Sequence, residues 1–189
     1  MATRVMTAQA PPRQAKVTLD EFKRLRHDGC KAELVNGEVE MSPAGMRHER
    51  IGVKLITRLE RFLEQHPLGH VYGSSAGYTL PSGDVRSPDV SFVSLARLPG
   101  GKSPVDYADF PPDLAVEILS PNDRVRELND KISEYFDFGV RLVWVVDPDR
   151  QTVTVYHSWA DAHTLRADET LDGGDVLPGF AGRVGELFD

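Results

Sequence analysis

The feature that most constrains the fold is a nearly continuous apolar segment, DLAVEIL at 113–119, which Glu117 interrupts. An apolar run without alternation is typical of a strand that is buried on both faces of a sheet. A carboxylate inside such a strand is costly unless it is paired with a cation or bound to a metal. The segment therefore predicts a covered sheet, with a pairing or functional role for Glu117.

The first third of the chain predicts two helices and a hairpin. Thr18, with Glu21 three positions later, forms a capping box for a short helix that ends near His27. Asn36-Gly37 lies between two short alternating segments and predicts a β-hairpin, because both turn residues must accept a positive φ. A helix over about 46–65 is predicted by apolar residues at helical spacing: Ile51, Leu55, Leu59 and Phe62.

The remainder predicts strands around one further helix. Strands are expected near Val71 and over 77–80, 85–93, 113–119, 141–148 and 151–158, and the tail adds one more strand and a short closing segment. The helix begins after Ser120-Pro121, ends at Phe138 before Gly139, and has a buried stripe of Val125, Leu128, Ile132 and Phe136. This order of elements indicates the α/β class, as a mixed sheet flanked by helices.

Length and composition bound the organisation of the chain. Its 189 residues suit one domain, expected over 17–189, after a loose arm at 1–16 that contains almost nothing to bury. Cys30 is the single cysteine, which excludes an internal disulfide and a thiolate zinc site and fits a reducing cytoplasm. No apolar run is long enough to span a bilayer, and the N-terminus lacks a secretory signal, so a cytoplasmic protein without a membrane partner is expected.

The net charge does not decide whether the protein acts on nucleic acid. The net charge of -7 counts against a protein that coats nucleic acid, whose binding surface is usually basic. It does not exclude a DNA-cutting enzyme, because a cluster of carboxylates for Mg²⁺ contributes negative charge. One basic stripe follows the helix over 46–65 and is either a solvated face or a phosphate-facing ridge. Its members are Arg47, Arg50, Lys54, Arg58 and Arg61.

Three residues have the chemistry of a metal-dependent hydrolase. Asp89 follows Pro88 inside one predicted strand, Glu117 lies inside a second, and Lys131 lies on the following helix. Hydrolysis of a phosphodiester with Mg²⁺ needs rigidly held carboxylates, and it needs a cation near the attacking water. Simpler roles remain open: Asp89 as a turn former, Glu117 as the partner of Arg86 or Arg141, and Lys131 as a solvated lysine.

Several ordered motifs of this chain resemble one known family. They are AELVNGEVEMSPAG followed by His48, then SPDVSFV, PPDLAVEILSP, DKISEYFDFGVRLVWVVDP and a closing DVLPGF. Together they resemble the Uma-type family of restriction-endonuclease-like proteins, in the PD-(D/E)xK nuclease superfamily, from about Leu19 to Phe188. The resemblance implies a restriction-endonuclease-like core and nuclease activity on DNA with Mg²⁺ or Mn²⁺. Symmetric cutting of a duplex would favour a homodimer.

The resemblance also implies a set of site residues. Asp89 and Glu117 match the two acidic positions that bind metal, and the backbone carbonyl of Ile118 would be a further ligand. The family pattern places a lysine two residues after the second acid, where this chain has Leu119. Lys131 from the next helix is the candidate replacement, Arg124 is its rival, and we expect the Lys131 amine within about 6 Å of Glu117.

Glu33 and His48 match positions that recur in the family and would complete the pocket. Each has a simpler alternative: Glu33 as the exposed member of an alternating strand, and His48 as a packed side chain. Tyr135, one turn after Lys131, either holds the amine or packs as an aromatic ring, and packing is the preferred interpretation.

Three functions are consistent with these residues. The first is a Mg²⁺-dependent DNA endonuclease with catalytic residues Asp89, Glu117, Lys131, His48 and Glu33. The second is a binding or regulatory module that keeps the fold without catalysis, which Leu119 and the acidic charge favour. The third is a metal-dependent hydrolase of another phosphate ester.

Overall fold

The computed structural model of the protein describes residues 16–25, 31–41, 44–121 and 123–189. The predicted arm, apart from Lys16, lies outside the described residues, as do the predicted helix end at His27 and the single cysteine. The helices and strands, in chain order, are α1 (Leu19–Arg24), β1 (Ala32–Val35), β2 (Glu38–Met41), α2 (Met46–Leu63), β3 (Gly69–Gly73), β4 (Tyr78–Thr79), β5 (Val85–Arg86), β6 (Val90–Ser94), β7 (Leu114–Ile118), α3 (Val125–Phe138), β8 (Leu142–Asp147), β9 (Thr152–Ser158), β10 (Asp161–Leu165), β11 (Thr170–Gly173) and β12 (Leu177–Arg183).

Most of the strands form two sheets, a mixed sheet of six strands and an antiparallel sheet of four. Within the described ranges, the central sheet has the order β10-β9-β8-β7-β6-β3, and the small sheet has the order β2-β1-β5-β4. β7 and β8 are parallel, while the other pairs of the central sheet are antiparallel. A parallel pair needs a long crossover, and α3 supplies it. The central sheet therefore holds β7 and β8 side by side in its middle.

Helices cover both faces of the central sheet. On one face, Ile51, Leu55 and Leu59 of α2 pack into a core with the apolar side chains of β6, β7 and β8. On the other face, Ile132 and Tyr135 of α3 pack on side chains of β7 and β8. All five residues of β7 are buried, which confirms the prediction from its apolar run.

The N-terminal capping box and hairpin are confirmed. Thr18 Oγ1 accepts a hydrogen bond from the Glu21 backbone N–H, and the Glu21 carboxylate accepts one from the Thr18 N–H. The hairpin of β1 and β2 turns at Asn36 and Gly37, whose φ values are 52° and 79°. Asn and Gly tolerate this left-handed region with the least strain.

The single strand predicted over 85–93 is wrong, because the chain changes sheet in the middle of it. β5 pairs with β1 and β4 in the small sheet, whereas β6 pairs with β3 and β7 in the central sheet. The break falls at 87–89, where Pro88 has no N–H for a sheet hydrogen bond. Asp89 therefore lies directly before β6 rather than inside a strand, at the junction of the two sheets.

The predicted start of α3 and one residue of its predicted buried stripe need correction. The helix begins at Val125 rather than after Pro121, and Val125 is 74% exposed. The other three predicted residues, Leu128, Ile132 and Phe136, pack with Tyr135 against the sheet, which confirms that part of the stripe. The end at Phe138 is confirmed, with Gly139 at a φ of 105°.

The tail contains more strands than the one predicted. β10 extends the central sheet beside β9, and β11 and β12 form a separate antiparallel pair. Most of β10 is exposed, so its sequence lacks the apolar alternation that marks a strand. Among the described helices, none is both long and apolar enough to cross a membrane.

Candidate active site

Asp89 and Glu117 are brought together where β6 and β7 run side by side. The antiparallel register pairs Val90 with Val116, so Asp89, just before β6, and Glu117, near the end of β7, lie at the same end of this strand pair. The Asp89 N–H donates a 2.9 Å hydrogen bond to the Val116 carbonyl. Both acids are 6% exposed. One end of the β6–β7 pair thus holds two buried carboxylates.

The Asp89 carboxylate is fully engaged by this chain. Its Oδ1 lies 2.8 Å from Lys31 Nζ, and its Oδ2 lies 3.0 Å from His48 Nε2 and accepts a 2.7 Å bond from the Ile118 N–H. Burial alone would raise the pKa of Asp89, but the hydrogen bond with His48 and the charge of Lys31 outweigh it. The pKa of Asp89 is therefore held well below its usual range, and the group is an anion.

Glu117 has a different environment from Asp89. The Tyr135 hydroxyl donates a 2.5 Å hydrogen bond to Glu117 Oε1, and Lys131 Nζ lies 3.6 Å from Oε2. Burial raises the pKa of Glu117 above its usual value, although Lys131 and Lys31 oppose the effect. A further cation close to Glu117 would therefore stabilise its ionised form. The preferred interpretation of Tyr135 as a packing residue is incomplete, since its hydroxyl holds the acid.

Lys131 lies where the sequence placed it. Its amine is within the expected distance of Glu117 and 3.0 Å from Glu33 Oε2, and its side chain is 19% exposed. The alternative of a solvated lysine is therefore wrong. The rival Arg124 is 79% exposed and pairs with Glu127 at 3.2 Å. Of these two cations, Lys131 is the one at the carboxylates.

Glu33 is a buried acid and not the exposed member of its strand. The register that pairs Leu34 with Val85 places Glu33 opposite Arg86, whose guanidinium lies 3.2 Å from Glu33 Oε2. The Ser87 N–H donates a 2.9 Å bond to its Oε1. Burial opposes ionisation, but Lys131 and the other cations outweigh it and lower the pKa of Glu33. Glu33 therefore anchors the amine that approaches Glu117.

Neither arginine considered for Glu117 pairs with it. Arg86 contacts Glu33 and, through Nε at 2.7 Å, Glu134, whereas Arg141 lies 3.7 Å from Asp113. The interpretation of Glu117 as the partner of either arginine is wrong.

His48 enters the site from the first turn of α2. Its Nε2 faces Asp89, and its Nδ1 is buried with no hydrogen-bond partner among the described residues. Burial disfavours the imidazolium, but the hydrogen bond and charge of Asp89 outweigh it and raise the pKa of His48. The side chain therefore orients Asp89, so packing alone does not describe it.

Sequence reasoning missed one residue of the site, Lys31. It lies just before β1, with a side chain 13% exposed and an amine on Asp89. One signal was present: Lys31 is two residues before Glu33, and alternate residues of an extended segment project to the same side.

The site opens into a cleft of about 860 Å³. Residues from both sheets, α2 and α3 line it, including every predicted site residue. Its lysine and arginine side chains are Lys31, Arg86, Arg124 and Lys131. Its carboxylates outnumber them: Glu33, Glu40, Glu49, Asp89, Glu117, Asp123, Glu127, Asp130 and Glu134. A polyanion entering this cleft needs added positive charge.

The donor chemistry of the site fits a hard divalent cation. Mg²⁺ commonly uses one or two carboxylates and keeps several waters, and the carboxylates here are Glu117 on β7 and Asp89 directly before β6. No group of three or more His, Cys, Asp or Glu side chains within the described ranges is arranged to hold a metal. The protein therefore offers few ligands to a metal ion. One of them, Asp89 Oδ1, already accepts a hydrogen bond from the Lys31 amine.

Most residues of the basic stripe of α2 form hydrogen bonds or ion pairs with other residues of the chain. Arg47 bonds to Pro148 and Asp149, and Arg58 lies 2.5 Å from Glu186. Arg50 and Lys54 donate to the Asp189 carbonyl. These contacts favour neither a solvated face nor a phosphate ridge. Through Arg50, Lys54 and Arg58, the stripe instead holds the 186–189 segment against α2.

Comparisons with known proteins agree with this architecture. The family model Uma2, described as "Putative restriction endonuclease", matches residues 19–185. A crystal structure from Anabaena variabilis ATCC 29413, of "a putative nuclease belonging to DUF820", has a TM-score of 0.78 and 21% identity, over 91% of this chain and 97% of that one. At this identity the likeness shows the fold, and it confirms the predicted class. No curated protein matches the chain.

Proposed function

The chain belongs to the Uma2 family of restriction-endonuclease-like proteins, and we propose that it is a metal-dependent DNA endonuclease that acts at Asp89 and Glu117. One observation carries the proposal. Two buried carboxylates, Asp89 and Glu117, line one cleft at the same end of the β6–β7 pair, and the Lys131 amine lies 3.6 Å from Glu117. Buried acids beside a cation in a cleft are typical of active sites.

The proposed roles follow from the contacts of each side chain. Asp89, Glu117 and the Ile118 carbonyl would hold a Mg²⁺ or Mn²⁺ ion, which when bound polarises a phosphoryl oxygen and acidifies water. The Lys131 ammonium orients the attacking water and stabilises negative charge that develops on the phosphate. Leu119 has no polar group for this task, so the amine comes from the helix.

The neighbouring residues keep these groups in place. Glu33 holds the Lys131 amine at 3.0 Å, His48 fixes one oxygen of Asp89, and Tyr135 fixes one oxygen of Glu117. Rigid support of this kind matters because small displacements of a reacting group lower the rate strongly. Glu33 and His48 therefore act on the reaction by positioning other groups.

Plasmid cleavage tests the proposed function. Supercoiled DNA would be incubated with the protein in Mg²⁺, in Mn²⁺ and in a chelator, alongside the variant Asp89→Asn. We expect nicked or linear product only with the wild type and a metal. DNA binding without cleavage would favour the regulatory module, and cleavage of a small phosphodiester but not of DNA would favour a hydrolase of another phosphate ester.

A second variant tests the role of Lys131. Lys131→Ala removes the amine while Asp89 and Glu117 remain, so we expect cleavage to fall by at least about a hundredfold and Mn²⁺ binding to persist. Arg126→Ala is the matched control, since Arg126 is 92% exposed on the same helix and does not line the cleft, so cleavage should be nearly unchanged. Arg124→Ala, at the rival cation, should lower cleavage much less than Lys131→Ala. Full cleavage by Lys131→Ala, or its loss in Arg124→Ala, would contradict the assignment.

A further inference from the structure

Lys31 occupies an unusual position for a lysine. Its side chain is 13% exposed, and its amine donates a 2.8 Å hydrogen bond to Asp89 Oδ1. Lysines are rarely buried unless they are paired. This one is paired with an acid that the proposed function assigns to a metal ion.

The other contacts of Asp89 leave Lys31 as the partner that can be exchanged. Oδ2 is fixed by the His48 ring and by the Ile118 N–H, which belong to α2 and β7. Oδ1 has the Lys31 amine, which sits at the end of a flexible four-carbon stem just before β1. A cation that approaches Asp89 therefore meets the Lys31 ammonium at Oδ1.

The Lys31 amine can supply the positive charge that a metal ion would otherwise bring to the two acids. Asp89 and Glu117 are buried acids that line the same cleft and repel each other, so the site is stable only with positive charge nearby. The Lys31 amine, 2.8 Å from Asp89 Oδ1, places such a charge at Asp89.

We propose that Lys31 is the resident cation of the metal-free site, and that its ammonium must leave Asp89 Oδ1 before a divalent ion can bind there. Lys31 thereby sets the metal affinity and holds the cleft folded when no metal is present. The inference rests on the proposed function, because it requires the same two carboxylates to be metal ligands. It assigns Lys31 a role distinct from that of Lys131, whose closer acidic contact is Glu33.

Calorimetric titration with Mn²⁺ tests the competition. Lys31→Met removes the resident cation and keeps an apolar stem, so we expect Mn²⁺ to bind about tenfold more tightly than to the wild type. Lys23→Met is the matched control, because Lys23 pairs with Asp106 at 3.5 Å and neither residue lines the cleft. Its affinity for Mn²⁺ should equal that of the wild type.

The outcomes separate this inference from the proposed function. If the wild type binds Mn²⁺ and Lys31→Met binds it equally or more weakly, the role of Lys31 is wrong and the metal site stands. If neither protein binds Mn²⁺, both proposals fail.

Chemical labelling of the wild type gives a second test, which does not depend on the folding of a variant. An amine-acetylating reagent would be applied with and without Mn²⁺, and the modified lysines would be quantified by mass spectrometry. We expect acetylation of Lys31 to rise severalfold with Mn²⁺, because the displaced amine enters the cleft, and acetylation of Lys23 to stay constant. If Mn²⁺ leaves the acetylation of Lys31 unchanged, the metal does not displace the Lys31 amine from Asp89. This conclusion would hold even if Lys31→Met bound Mn²⁺ more tightly.

Discussion

At the scale of single residues, the environment of Glu117 leads to a test of Tyr135. Tyr135→Phe removes the hydroxyl that donates to a carboxylate only 6% exposed. We expect the free energy of unfolding without metal to fall by about 1–3 kcal/mol, the usual cost of leaving a buried polar group unpaired. Urea denaturation of both proteins measures this difference.

Tyr72→Phe is the control for that experiment. Its hydroxyl lies 2.7 Å from the Ser103 hydroxyl in an exposed contact, so its loss should change stability by less than about 0.5 kcal/mol. Equal stability of Tyr135→Phe and wild type would mean that the hydroxyl does not support Glu117.

The sequence located most of the site residues but not their pairing. Both acids could be recognised from local features. Glu117 is a charged residue in an apolar strand, and Asp89 follows a proline in a family motif. Lys31 was missed because its contact with Asp89 spans 58 positions and joins two sheets. Tyr135 packs in the core as predicted, but the local pattern did not show that its hydroxyl meets Glu117.

At the scale of elements, Asp113 joins three segments at the start of β7. It is 2% exposed, accepts hydrogen bonds from the Ser94 N–H and from Arg97, and lies near Arg141. Burial would raise the pKa of Asp113, but the hydrogen bonds with Ser94 and Arg97 and the charge of Arg97 outweigh it and lower the pKa. Between the lowered pKa and the unfolded value of about 3.9, the unfolded chain binds more protons. This stability is therefore present at neutral pH and is lost as the pH falls.

Asp113→Asn tests the linkage. The variant should lose about 1–2 kcal/mol of unfolding free energy at pH 7, a figure reduced because Arg97 and Arg141 are partly exposed. The loss should shrink at pH 3, which lies below the unfolded value of about 3.9, because the unfolded chain then binds the proton. Urea denaturation at both values measures it, and Asp168→Asn at an exposed position is the control. An equal loss at both pH values would contradict the account.

The basic stripe of α2 gives a second prediction at this scale. Arg50 and Lys54 bond to the Asp189 carbonyl, so replacing both with Ala should lower stability by less than about 1 kcal/mol. It should leave the salt dependence of DNA affinity unchanged. Binding of DNA across a series of salt concentrations measures this, and a slope flatter by about one unit per residue would instead assign phosphate contacts to the stripe.

Strands with a strong pattern were predictable, and strands defined by pairing were not. The apolar run of β7 specified a buried strand, and Asn36-Gly37 specified a hairpin. The exposed edge strand β10 has no such signal, and the break at Pro88 depends on which sheet each half joins. Long-range pairing therefore decided what the local sequence left open.

At the scale of the whole molecule, the fold gathers the site from distant parts of the chain. The small sheet contributes Glu33, the central sheet contributes Glu117, α2 contributes His48 and α3 contributes Lys131. Asp89 lies at the junction between the two sheets. The resulting cleft is rich in carboxylates, so a divalent ion would supply the positive charge that a DNA backbone needs there.

Metal-dependent melting tests the central claim most directly. Mn²⁺ at about a hundredfold above its dissociation constant should stabilise the wild type by about 2.7 kcal/mol, which raises the melting temperature by about 5–10 °C. Asp89→Asn should abolish that rise, because it removes a carboxylate ligand, while Asp168→Asn should keep it. No rise in the wild type, or the same rise in Asp89→Asn, would contradict a metal site at Asp89 and Glu117.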